Sequence, residues 1–407
     1  MNDTEISLWN WSRATLTCLL VLSNATSRGA DIDVSGSVGF EVRGFMDAAT
    51  LEDQDDRTQF SVFAEPEWEW SDSSRSNQVG VTLFGRWDAV DVRRSHVDVR
   101  EMFWRHIGGD WEVVAGVNRV FWGVTESRHL VNVVNQIDSV ENVDEEDFLG
   151  QPMVEWALQK DFGRFSAFYL PYFRERTFPG GDGRLRFPAP IETGDARYSS
   201  RHGQWHPDMA VRYSHFIGDW DVGVHYFRGT NREPRFEPTG RRAELRPVYD
   251  RMDQVGFDVQ YTKDAWLWKA EGLFRHTERD DFTALVAGTE YTFFQKWNQG
   301  DGDIGVLAEY LFDDRSTRNS FPTAFQNDLF LGSRLSWNDM QDTAALAGVA
   351  VDLDDGSTSA RVEFERRLGD AWKLEFQAQF FANVDENNLF DVFRRDSFLT
   401  LSLARYF

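Results

Sequence analysis

Apolar and polar residues alternate with period two along most of the chain beyond residue 30. The final segment shows the pattern most simply. Leu399, Leu401, Leu403 and Phe407 fall on one face, and Thr400, Ser402 and Ala404 on the other. Successive side chains of a β-strand point to opposite sides, so this segment has one greasy face and one small or polar face. Comparable alternation predicts strands near residues 32–45, 58–70, 78–88, 95–106, 111–121, 152–160, 164–174, 207–217 and 220–228. It continues near 253–262, 265–276, 283–295, 303–312, 327–337, 343–353, 357–367, 371–381 and 397–407, eighteen strands in all.

Very short turns join several of these segments. Ile107-Gly108-Gly109-Asp110, Asp161-Phe162-Gly163-Arg164, Ile217-Gly218-Asp219, Thr262-Lys263-Asp264-Ala265 and Leu368-Gly369-Asp370 each separate two alternating runs. Gly and Asp supply the positive φ angles that tight hairpins need. Trp111, Trp220 and Trp372 follow such turns, where an interface anchor would sit. Longer polar stretches lie between the hairpins, at 46–57, 122–151, 174–206, 228–252, 313–326 and 382–396. Barrels that cross an outer membrane alternate in this way, with short periplasmic turns and long extracellular loops. The expected fold is therefore an all-β, closed antiparallel transmembrane β-barrel of about 18 strands, with 16 as the alternative. Both chain ends then lie on the periplasmic side. A soluble propeller would repeat a blade signature every ~40–50 residues, and no such repeat occurs.

The two faces differ in chemistry as a barrel in lipid requires. One face carries Val34, Val38, Phe40 and Val42, then Val79, Val81 and Leu83, then Trp266, Trp268, Ala270 and Phe274. Leu285, Ala287, Tyr291 and Phe293 continue it, followed by Val362, Phe364, Trp372, Leu374, Phe376 and Phe380. The opposite face carries Glu41, Arg43, Glu65, Glu67, Glu69, Arg86, Asp98, Arg100, Glu112, Arg212, Asp221 and Asp258. Lys269, Glu271, Arg275, Glu290, Glu309, Arg334, Arg361, Glu363, Glu365, Arg367, Lys373 and Glu375 extend that set. A basic side chain facing hydrocarbon costs ~2–4 kcal/mol at the midplane, so these charges imply a wet interior. A ring of this size encloses an aqueous channel. The mixed signs suit a wall-to-wall network that also orients polar solutes.

Composition narrows the alternatives. Hydrophobic content is 41% and mean hydropathy is -0.49, and no stretch is long and apolar enough for a membrane helix. Strands escape that test because only alternate residues meet lipid. The net charge of -24 excludes nucleic acid as a partner. It suits exposed acidic loops beside outer-membrane lipid and lipopolysaccharide. The one cysteine, Cys18, lies in an N-terminal apolar run. Arg13, then residues 14–22, then Ser23-Asn24-Ala25 read as a signal peptide over 1–25 with cleavage between 25 and 30. Residues 26–407 then form a single barrel domain.

The 122–151 connection is the most promising functional segment. Leu130, Val133, Val134 and Ile137 have i, i+3, i+4, i+7 spacing, which predicts a short amphipathic helix. Its apolar stripe predicts packing, either folded into the lumen as a constriction or capping the barrel mouth. The expected pore-lining and constriction residues are Glu67, Arg100, Glu112, Arg119, Glu126, Arg128, His129, Arg212, Glu271, Glu290, Glu309 and Arg334. A second loop carries Arg174, Arg176, Arg184 and Arg186, with Arg201 beyond it. These could clamp carboxylates or phosphates, although pairing with the acidic stretch 141–147 is the simpler expectation.

Gly116, Val120, Trp122 and Gly123, then Val133, Asn135 and Asp138, then Pro152 and Met153, form a spaced pattern over about forty residues. In this the chain resembles proteobacterial outer-membrane barrels of the DUF1302 kind. The resemblance implies a porin-like pore for a small polar solute without naming that solute. Phe407 is similar to the C-terminal signal that such barrels offer the barrel assembly machinery. Arg405 departs from that pattern, since an aromatic residue is common there.

Other motifs fail. Gly300-Asp301-Gly302-Asp303-Ile304-Gly305 matches a dinucleotide fingerprint in letters but falls in a predicted turn. Asp352-Leu353-Asp354-Asp355-Gly356 lacks the length and final Glu of a calcium loop. No G-x-S-x-G or H-E-x-x-H occurs. The sequence implies no cofactor, metal or catalytic residue, and it sets no oligomeric state. The competing functions are a lipase-like hydrolase using His215 or His225 with a serine, and a closed barrel acting as scaffold or receptor.

Overall fold

The computed structural model describes residues 30–51, 54, 57–240, 244–316 and 318–407; the expected signal peptide lies outside them. The first seven strands are β1 (Ala30–Phe45), β2 (Thr58–Asp72), β3 (Asn77–Asp88), β4 (His96–Ile107), β5 (Trp111–Asn118), β6 (Gln151–Lys160) and β7 (Gly163–Leu170). Next come β8 (Arg197–Tyr198), β9 (Asp208–Ile217), β10 (Trp220–Thr230), β11 (Arg235–Pro238), β12 (Leu245–Tyr249), β13 (Arg251–Lys263) and β14 (Trp266–Thr277). The last are β15 (Asp281–Trp297), β16 (Gly302–Asp313), β17 (Asn327–Ser336), β18 (Ala344–Asp352), β19 (Thr358–Leu368), β20 (Trp372–Ala382) and β21 (Phe398–Tyr406).

Eighteen of these form one closed antiparallel sheet, as the alternation predicts. Closure comes from β1 against β21, in register from Ser37 opposite Tyr406 to Phe45 opposite Phe398. Closing the ring pairs the edges that an open sheet would leave bare. The backbone N–H of Phe407 donates to the Gly36 carbonyl at 3.1 Å. Gly36 has φ +151, and a Cβ there would meet Glu65 O at 2.6 Å and the Phe407 ring at 3.1 Å. The glycine therefore makes room where the last residue of the chain crosses the first strand.

The face assignment follows burial. On β14, Trp266, Trp268 and Phe274 are exposed while Glu271, Leu273 and Arg275 are buried. On β1, Val34, Val38 and Phe40 are exposed, and Glu41 and Arg43 are buried. An apolar outside and a charged inside are the arrangement a barrel in lipid requires. Aromatic rings cluster on the outside near the short turns. Trp266 stacks on Trp268 at 5.7 Å and meets Tyr291 edge-on at 4.7 Å, and Trp220 lies 4.5 Å from Tyr261. These are girdle positions at a membrane interface.

Three features depart from expectation. Strands β8, β11 and β12 make a separate small sheet within the long connections, with β12 and β8 parallel; strands this short carry no clear alternation. The connections at 278–280 and 353–357 are short although they lie at the long-loop end. Residues 130–137 form no helix. Val131, Val133 and Val134 are all almost fully buried, so no single helical face exists. The β-branched run also disfavours a helix, and the asparagines between use their side chains on the loop backbone.

Candidate functional site

The connection from β5 to β6, residues 119–150, is built inward from its ends. Gly116, with φ +139, sits against β4 so closely that a Cβ would lie 2.2 Å from Met102 O. Beyond it, Asn135 closes the loop's neck. Its Oδ1 accepts from Val120 N at 2.8 Å, and its Nδ2 donates to Asn118 O and Leu149 O, each at 2.9 Å. Asn132 Oδ1 accepts from Trp122 N at 2.7 Å and Gly123 N at 3.2 Å. Trp122 then buries itself among Phe168, Phe227, Met153 and Met252 on the inner wall. Arg212 lies over the Trp122 ring at 5.0 Å while holding Asp258 through two bonds of 2.6 and 2.8 Å.

Two wall carboxylates receive the next part of the loop. Glu271 on β14 is fully buried and accepts from Val124 N, Thr125 N, Thr125 Oγ1 and Val131 N at 2.6 to 3.2 Å. Glu309 on β16 accepts from Glu126 N, Ser127 N and Ser127 Oγ at 2.9, 2.8 and 2.6 Å. Charge-assisted bonds of this kind are about twice as strong as neutral ones. Glu126 pairs with Arg334 at 2.6 Å, and Lys269 and Glu290 extend that network. Arg128 reaches Asp313 at 3.1 Å and Glu233 at 3.9 Å. His129 Nδ1 stands 3.8 Å from Glu271, with its ring against Phe121.

The far part of the loop meets the opposite wall. Arg100 on β4 reaches Asp138 at 2.8 Å and donates to Phe148 O at 2.9 Å. Arg86 on β3 reaches Glu141 at 2.8 Å, and Arg43 on β1 donates to Glu141 O at 3.3 Å. Arg361 on β19 holds Asp144 at 3.1 Å and Glu146 at 2.9 Å, and Asn142 donates to Gln377 of β20 at 2.9 Å. Strands β4 and β16 face each other across the ring of eighteen. A loop bonded to both crosses the enclosed space.

Among the expected site residues, Arg100, Glu126, Arg128, His129, Arg212, Glu271, Glu290, Glu309 and Arg334 therefore gather at or around this loop. Glu67 and Glu112 do not join them, and Arg119, at the first position of the loop, makes its ion pair elsewhere. Glu67 meets Ser35, Glu112 pairs with Arg164, and Arg119 pairs with Glu101. Spacing missed Glu141, Glu233, Arg94 and Arg315. These lie in connections where no period exposes a face, and only the local excess of charge hinted at them. Glu233 sits between Arg315 at 3.0 Å, Arg275 and Arg128. Burial alone would raise its pKa, but the three guanidiniums hold it well below the usual carboxylate range. The arginine clamp dissolves into pairs. Arg176 meets Glu145 of the acidic stretch, Arg174 meets Asp98 and Arg184 meets Asp396.

A cavity of ≈ 240 Å³ remains between the loop, the neighbouring long connections and the wall of β17 to β20. Phe148, Phe321, Phe381 and Phe390 line it together with Arg128 and Arg361. The two histidines considered for a hydrolase lie on opposite faces of the wall. His225 is buried inside, 5.0 Å from Trp122 and 3.1 Å from Gln254. His215 lies on the outer face of β9 with Met209 and Val211, 6.3 Å from Tyr213.

No family model and no curated protein matches the chain. Among solved structures, a mutant of Rh. blastica porin overlaps with a TM-score of 0.44 at 12% identity, covering 93% of this chain and 100% of that one. OmpT of Vibrio cholerae overlaps with a TM-score of 0.44 at 10% identity, covering 94% and 99%. Overlap this loose adds nothing to what the strand register already establishes.

Proposed function

We propose that the chain is a porin-like outer-membrane channel of a Gram-negative bacterium, passing small hydrophilic solutes by passive diffusion. One observation carries this reading: a charged inner wall of eighteen strands with loop 119–150 bonded to inward-facing carboxylates and arginines on both sides. A scaffold or receptor gains nothing from a wet, charged interior, which is costly to build. The loop sets the cross-section of the path, and the remaining lumen beside β17 to β20 is the route. The outer face meets lipid and lipopolysaccharide, and the C-terminal strand ending at Phe407 engages the barrel assembly machinery.

Single-channel recording in planar bilayers tests the reading. Discrete conductance steps and solute flux into liposomes are expected from the purified barrel. Deleting 126–147 should raise conductance several-fold while the sheet persists. Folded protein without steps or flux would defeat the channel, and unchanged conductance in the deletion would remove the loop from its role. A hydrolase favoured by His225 would instead show esterase activity lost on changing that histidine.

A further inference from the structure

His96 stands at the start of β4, where the wall meets the far part of the lumen loop. Its Nδ1 lies 3.0 Å from the carbonyl of Arg94. A carbonyl only accepts, so Nδ1 carries a hydrogen and the neutral ring leaves its lone pair on Nε2. That nitrogen faces Asp138 Oδ2 at 3.3 Å and Glu141 Oε1 at 3.7 Å. All three atoms lie within 4.8 Å of one another. Each is buried and none has a hydrogen-bond partner of acceptable geometry. Three electron-rich atoms turned toward one point, out of reach of water, call for positive charge there, and of the three the neighbouring Arg100 pairs with Asp138.

We propose that this point is a divalent transition-metal site of the zinc class, with His96, Asp138 and Glu141 as ligands. A proton on Nε2 answers the geometry less well, because a single N–H serves one oxygen at a time, and Asp138 Oδ2 at 3.3 Å makes no well-formed hydrogen bond with Nε2 while Glu141 Oε1 at 3.7 Å is beyond reach of one. A metal accepts all three at once, at about 2.0–2.2 Å each. The surroundings match what ligands need. The other ring nitrogen of His96 donates to a backbone carbonyl, the usual second partner of a ligating histidine. Thr177 Oγ1 donates to Asp138 Oδ1 at 2.7 Å, and Arg86 holds Glu141 Oε2 at 2.8 Å. Arg100 approaches Asp138 Oδ2 itself at 2.8 Å, from outside the cluster. One imidazole with two carboxylates suits Zn²⁺ and disfavours Ca²⁺ or Mg²⁺, which take oxygen alone. The wall supplies one ligand and the loop two, so the bound ion fastens the loop to β4.

The test uses the full barrel, purified in detergent, stripped with chelator and titrated with Zn²⁺ alone. Calorimetry and metal analysis should find about one equivalent per chain. His96→Ala and Glu141→Gln should each weaken binding at least about ten-fold, and His96→Cys should keep it. Circular dichroism and heat-modified gel mobility confirm that each variant remains a barrel. Absence of zinc uptake by the wild type overturns the site, as does uptake unchanged in both weakened variants. If stability instead falls as pH rises while no metal binds, a proton occupies the point and the metal site is wrong. Zinc binding is read without solute flux, so this result stands apart from the channel reading.

Discussion

The barrel wall and the loop it encloses are held by different kinds of bond. In the wall, every strand exchanges backbone hydrogen bonds with two neighbours, and β1 with β21 completes the circle. In loop 119–150 few backbone pairs are internal, among them Asp138 N to Asp147 O at 2.8 Å and Leu149 N to Gln136 O at 2.8 Å. Five of its amides donate to the wall carboxylates Glu271 and Glu309, and others to side chains of the loop itself such as Asn132 and Asn135. The wall's bonds depend on the chain path alone, whereas the loop's depend on particular side chains and their charge. The loop can therefore be released by point changes that leave the wall intact.

Placing a charge on the wall's outer face gives the largest expected stability change. Val255 on β13 is 51% exposed and points outward between Tyr226 and Phe274. Val255→Arg should destabilise the barrel in lipid by ~2–4 kcal/mol, measured by urea unfolding in vesicles, with little change in the conductance of the folded fraction. A neutral result would mean that this face does not meet hydrocarbon. Cutting the loop's main anchor comes next. Glu271→Ala leaves four donors of the loop without their acceptor, and a buried unsatisfied group costs about 1–3 kcal/mol. The expected outcome is noisy, enlarged conductance with the barrel's mobility on gels unchanged. Loss of the barrel itself would erase the contrast between wall and loop.

The period-two pattern made the wall legible because register and burial share one rule. Every barrel strand from Ala30–Phe45 to Phe398–Tyr406 lies within a few residues of its expected range. The rule ends where strands end. It could not find β8, β11 and β12, and it misled at Leu130, Val133, Val134 and Ile137, whose helical spacing is overridden by Asn132 and Asn135. Of the site, the pattern gave the wall half: Arg100, Glu271, Glu309 and Arg334 were visible as charges on an inward face. Glu126 was expected from the loop, but its pairing with Arg334 was not, and neither were Asp138 and Glu141 as partners of the wall, since only the closed ring brings them together. Glu67 and Glu112 share the same inward face and the same charge, and nothing in spacing separates them from Glu271.

Acid separates the two regions next. Glu233 links Arg128 of the loop to Arg275 and Arg315, and its folded pKa is depressed by those guanidiniums. A depressed carboxylate contributes stability that is complete above its unfolded value of about 4.3 and is lost as pH falls below it. The wall's backbone bonds carry no such dependence. Conductance should therefore hold steady from neutral pH to about 4.3 and then rise or flicker below it, with gel mobility unchanged. Glu233→Gln should remove that acid step. An identical acid profile in the variant would assign the step to another group.

The smallest effect is expected at Arg334. Its side chain is 40% exposed, and it pairs with Glu126 at 2.6 Å and Glu290 at 3.8 Å. A pair this wet contributes only about 0–1 kcal/mol, and Glu309 holds the same stretch of loop through Glu126 N. Arg334→Gln should therefore leave the loop seated and the barrel's stability nearly unchanged. It does remove one positive charge from the wall of the route and frees the Glu126 carboxylate toward it. Cation-over-anion preference, read as the reversal potential across a salt gradient, should shift modestly toward cations, and high salt should erase the shift by screening. A change in conductance as large as that of Glu271→Ala would mean that the loop is held by its surface charges rather than by its buried amide-to-carboxylate bonds.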